Sequence, residues 1–99
     1  MAFAHAVLLE ATPPVHGSVP GPEVTFRLRF NSRIDASRSV LKLRLPNRTV
    51  RPLPMGQQVS PDSLSVKADG IKAGHYTLQW QVLAADGHIT RGEVPFEVR

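Results

Sequence analysis

The chain contains no cysteine. That excludes disulfide bridges, thiolate metal centres and cysteine nucleophiles, so any metal site has to be built from His, Asp, Glu, Met, backbone atoms or a terminal amine. Aromatic residues are scarce, at 6%. Phe3, Phe26, Phe30, Tyr76, Trp80 and Phe96 fall mostly on apolar faces, whereas a single-stranded nucleic acid needs exposed rings on which to stack its bases. Nucleic acid is therefore not an expected partner, even with a net charge of +4; the basic residues are dispersed and read as a solvated surface. No apolar run approaches the roughly 20 residues that cross a bilayer. A paired-carboxylate motif, a supported Ser-His-Asp arrangement and a phosphate-cradling glycine loop are also missing, so no enzyme is expected.

What is present is β-pattern almost throughout. Val24, Phe26, Leu28 and Phe30 alternate with Thr25, Arg27 and Arg29; Leu41, Leu43 and Leu45 alternate with Lys42 and Arg44. Tyr76, Leu78, Trp80 and Val82 alternate with Thr77, Gln79 and Gln81, and Val94, Phe96 and Val98 with Glu93, Pro95, Glu97 and Arg99. This is the period of two of a strand with one buried face. Shorter candidates are 6–11, 49–53 and 64–68. Nine prolines and turn pairs such as Pro13-Pro14, Pro46-Asn47, Asp69-Gly70 and Ala73-Gly74 separate the runs and exclude long helices; one helical turn at 35–38 is the most the pattern allows. The stretch 13–22 reads as a surface loop. Several short alternating strands split by turns in 99 residues predict an antiparallel β-sandwich of immunoglobulin-like size. If the Arg27/Arg29 and Lys42/Arg44 strands share a sheet, their outer faces form a basic stripe.

The chemistry centres on histidine, of which there are four. Asp86-Gly87-His88 offers a carboxylate and an imidazole two residues apart, which share a side in an extended segment. Alone, Asp-x-His is a common pattern and serves equally for a hydrogen-bonded histidine. The first residues change its weight. Ala2-Phe3-Ala4 has the small-x-small form that precedes leader cleavage, and a cut after Ala4 leaves His5 as the new N-terminus, with residues 1–4 as a leader remnant and 5–99 as the domain. A terminal His offers its amine and its ring together. With Asp86 and His88 the set becomes three nitrogens and one oxygen, the tetragonal N,O set that copper(II) favours. Amine and imidazoles bind only when deprotonated, so affinity should fall with acid. His16 and His75 have no His or carboxylate at ligand spacing and read as surface residues, and Met55 as a gap-filler.

From Ile71 to His88 the sequence reads IKAGHYTLQWQVLAADGH, and this stretch resembles the signature of the CopC copper-resistance family: Gly74-x-Tyr76, Trp80 and the Asp86-x-His88 pair before a final strand with Gly92, Phe96 and Val98. His5-Ala6-Val7-Leu8 and Thr12-Pro13 agree at the start, so the resemblance covers 5–99. It implies a seven-stranded antiparallel Greek-key β-sandwich of the periplasm, of the Cu(II)-only type, that binds one copper(II) through His5, Asp86 and His88, acts as a monomeric carrier in copper resistance or import, and is fused to or works beside a CopD-type membrane copper transporter. Two departures matter. Some members place a Glu where Ser32 stands, so a side-chain ligand is lost or replaced by water. Some carry a Met-rich copper(I) loop, whereas 45–66 holds only Met55, and a copper(I) site is not expected. With Met1–Ala4 attached, the His5 nitrogen is an amide, and the chain as it stands should bind metal weakly or not at all. The competing readings are an immunoglobulin-like interaction domain whose metal site is unused, and a copper monooxygenase that uses a terminal His; the second fits poorly with so few exposed aromatics.

Overall fold

The computed structural model describes residues 6–99. The alternating runs become strands because each can bury one face and leave the other in water. They are β1 (Leu8–Thr12), β2 (Gly17–Val19), β3 (Val24–Phe30), β4 (Ile34–Arg44), β5 (Val50–Leu53), β6 (Ser63–Ala68), β7 (Gly74–Ala84) and β8 (Ile89–Val98). They form a three-stranded sheet, β1-β3-β6, and a five-stranded sheet, β2-β8-β7-β4-β5. The chain crosses repeatedly between the two sheets, giving the Greek-key sandwich.

The core lies between them. Phe26, Leu28 and Phe30 of β3 meet Leu41 and Leu43 of β4, Leu78, Trp80 and Val82 of β7, and Val94 and Phe96 of β8, all buried. Phe30 meets Trp80 edge-on with ring centres 5.2 Å apart, and Phe26 meets Phe96 in the same way at 5.5 Å, a geometry the ring quadrupoles favour. Trp80 also explains Gly92, its cross-strand partner on β8. A Cβ at Gly92 would sit 2.3 Å from Trp80 Cζ2, so a side chain at this position would have to displace the indole or the strand.

Three features differ from what the sequence predicts. The eighth strand is β2, inside the expected 13–22 loop. It pairs parallel to β8, so the larger sheet is not wholly antiparallel. Three residues are too few to show a period of two. Its entry is fixed by the turn bond from Gly17 N–H to Pro14 O and by His16 N–H to Pro95 O, 2.8 and 2.6 Å. The second difference is at 35–38, where the allowed helical turn is instead a bulge within β4: Asp35 pairs with Leu83 and Val40 with Gln81, with a shift between them. Ser39 closes the gap, its hydroxyl donating to Asp35 O at 2.7 Å and accepting from Leu83 N–H at 3.2 Å. In the same bulge the Ser37 hydroxyl, with its amide and Arg38 in support, holds the Asp35 carboxyl below the ordinary aspartate value of 3.8. Third, Arg27 and Arg29 lie on β3 and Lys42 and Arg44 on β4, in different sheets, so they form no common stripe. Arg29 is paired with Glu10 across β1, and Arg44 lies 3.8 Å from Glu93. Met55 packs partly buried against the core, as a gap-filler does.

Candidate metal centre

Asp86 and His88 stand in the turn that joins β7 to β8. The two long strands pair closely up to Leu83 and Ile89, and the chain then reverses through bonds from Ala84 N–H to His88 O and Gly87 N–H to Ala84 O, both 2.9 Å. Gly87 takes φ +87°, a conformation that side chains with a Cβ rarely adopt. No described residue lies within 4 Å of where its Cβ would be, and it is the backbone conformation that calls for glycine here. The pair is therefore brought together by a tight turn and not by strand alternation.

The carboxylate of Asp86 organises this turn. Its Oδ1 accepts the His88 backbone N–H at 3.0 Å, and its Oδ2 lies 3.0 Å from His88 Nδ1. The His88 side chain is half exposed and that of Asp86 more covered, 49% and 22%. Two donors bound at about 2.0–2.1 Å to one metal, at a right angle, stand about 2.9 Å apart. The observed separation is that of an ordinary N–H···O hydrogen bond, and an edge of a square donor set has the same length once the imidazole nitrogen gives up its proton.

A loop that carries no sequence motif ties this turn to the start of the chain. Asn31 follows β3 and holds Val7 from both sides: Val7 N–H donates to Asn31 Oδ1 at 2.8 Å, and Asn31 N–H to Val7 O at 3.0 Å. Two residues on, Arg33 O accepts the N–H of Ala85 at 3.0 Å, immediately before Asp86. Residues 31–33 thus bridge the segment that follows His5 and the segment that carries Asp86 and His88. Between them, the Ser32 hydroxyl is buried with no hydrogen-bond partner among the described residues, and such an orphan polar atom marks a place for water or another polar group. The only sequence signal for this role is a polar pair, Asn31-Ser32, closing an apolar strand.

His5 lies outside the described residues, as does the expected leader remnant 1–4. Among the described residues no three His, Asp or Glu side chains gather closely enough to hold a metal ion. Asp86 and His88 come together; His16 and His75 stand at the opposite end of the sandwich, both exposed as expected.

Fold and site together describe a small immunoglobulin-like sandwich with a paired carboxylate and imidazole at one end. The CopC domain family matches residues 8–99, and the chain belongs to that family. A relative, Protein YobA of Escherichia coli K12, is 30% identical over 98% of this chain and 81% of its own length. Among solved structures, CopC from Methylosinus trichosporium OB3b superposes with a TM-score of 0.84 at 25% identity, covering 95% of this chain and 93% of that one. PcoC, a methionine-rich copper resistance protein of Escherichia coli, does so with a TM-score of 0.75 at 23% identity, covering 97% and 100%. Membership of this family places the chain in copper handling.

Proposed function

We propose that the mature protein begins at His5 and carries one copper(II) ion, held by the His5 amine and imidazole, Asp86 and His88. The observation that supports this most is the convergence of Asp86 Oδ2 and His88 Nδ1, 3.0 Å apart, which puts a carboxylate and an imidazole within reach of one ion. Covalent reach supports it further. His5 is two residues before Val7, about 7 Å of extended chain, and Val7 is held by the same loop that binds Ala85. The donor set is hard to borderline nitrogen and oxygen, which suits copper(II). Copper(I) prefers sulfur, and the chain has two methionines. Ser32 stands where some members of the family have Glu, so that side-chain ligand is lost or replaced by water.

The proposed role is that of a periplasmic carrier and not of an enzyme, monomeric and delivering to a CopD-type membrane copper transporter. Asp86 adds a ligand where an oxygen-activating copper centre would keep an open position. Titration of copper(II) into the chain beginning at His5 tests the site. One equivalent should bind, and His88→Ala and Asp86→Asn should each weaken binding by more than the roughly 10–100-fold that follows loss of an outer-shell partner. Unchanged affinity in both variants would contradict the assignment and favour an interaction domain.

A further inference from the structure

The other end of the sandwich holds a cleft of about 580 Å³ whose lining includes His16, Arg44, Arg48, His75 and Glu97. His75 lies at the start of β7 and Asp86 just past its end, so the cleft is about 30 Å from the candidate metal centre along the strand. The lining thus holds two guanidiniums and two imidazoles against a single carboxylate, with a second, on Glu93, beside Arg44 outside it. The lining carboxylate, on Glu97, lies 3.8 Å from His75 Nδ1; Arg44 donates to Thr77 Oγ1 at 3.2 Å and stands 3.8 Å from Glu93. Arg48 has no such acidic neighbour among the described residues.

The backbone points to the same cleft independently. Among the described residues, the non-glycine residues with positive φ are His16, at 60°, and Arg48, at 70°, and both line this cleft. Strained residues persist where the surrounding structure holds them, and they cluster at binding sites. Here the His16 N–H bond to Pro95 O fixes one turn, and the Arg48 N–H bond to Leu45 O, 2.9 Å, fixes the other. A guanidinium and an imidazole are thus presented from rigid, unfavourable turns into one opening. The imidazoles do not form a second metal centre, because no three His, Asp or Glu side chains among the described residues enclose a metal.

The geometry points to a binding site for phosphate, free or as a headgroup, gripped by Arg48 and Arg44 with His16 and His75 as flanking donors. Guanidinium forks match tetrahedral oxyanions better than any other side chain. This site is independent of the copper centre.

The test is a nuclear magnetic resonance titration of the full chain with inorganic phosphate, with ionic strength held constant by chloride. Saturable shifts are expected at His16, Gly17, Arg48 and His75. Arg48→Gln should weaken binding about tenfold, the loss of one charged hydrogen bond, and Glu97→Gln should tighten it about twofold to threefold by removing the opposing charge. Arg48 is exposed, so its replacement leaves the fold intact even if the Arg44→Gln variant is unstable. Phosphatidylglycerol vesicles separate the sources. Sedimentation with vesicles that inorganic phosphate competes away identifies a headgroup, and saturable phosphate binding without vesicle binding identifies the free ion. Shifts that never saturate, or that are identical in Arg48→Gln, overturn the proposal, as does vesicle binding indifferent to both phosphate and that substitution.

Discussion

At the scale of single residues, the positions that matter most are those where a side chain is excluded or committed. Gly92 is the clearest. Its missing Cβ is the space the Trp80 indole occupies, and both belong to paired long strands. Gly92→Ala forces the indole or the β8 backbone to move, and overpacking of this kind costs about 1–3 kcal/mol. Urea unfolding followed by the fluorescence of Trp80, the chain's sole tryptophan, should show a midpoint lowered to match. A midpoint equal to that of the parent would mean that the indole has another place to go. Gly87 has a different reason, since it lies at φ +87° with no described residue near its missing Cβ. From the tripeptide alone Gly87 reads as room between two ligands; its torsion angle is not legible there, because the same Asp-Gly-His is compatible with a strand or a turn.

At the scale of elements, the loop between β3 and β4 does the most to join fold to site. Long alternating runs are legible in the sequence because burial of one face imposes the period of two, and β3, β7 and β8 follow it closely. β2 is not legible, since three residues in parallel register with β8 carry no period, and what holds them is backbone bonding from distant Pro95. The bulge in β4 is hidden for a related reason. Ser39 replaces ladder bonds with its hydroxyl, and a serine in a polar stretch looks the same whether it does so or not. The Asn31 tie to Val7 belongs to this class of tertiary bond. Asn31→Ala removes the bond from Val7 N–H and leaves the one from Asn31 N–H. Global stability should fall by about 1 kcal/mol, amide exchange at Val7 should quicken, and copper(II) affinity of the form beginning at His5 should drop about fivefold to tenfold. Full affinity with a loosened Val7 would show that the loop positions the strand but not the ligand.

At the scale of the whole molecule, the two ends of the sandwich are chemically distinct. One end gathers the β7–β8 turn, residues 31–33 and the segment after His5; the other gathers two arginines and two histidines around a cleft. Half of the candidate site is legible in the sequence alone, because Asp86 and His88 sit in one short motif with a recognisable family setting. The other half depends on where the chain's first residues go, which no local pattern states. The proposed copper centre therefore stands or falls on whether the His5 amine is a ligand. Electron paramagnetic resonance of copper(II) bound to the chain beginning at His5, set beside the chain that keeps Met1–Ala4, decides it. A tetragonal, nitrogen-rich signal at one equivalent in the first form, with much weaker binding in the second, is the predicted result. The same signal and the same affinity in both forms would contradict it.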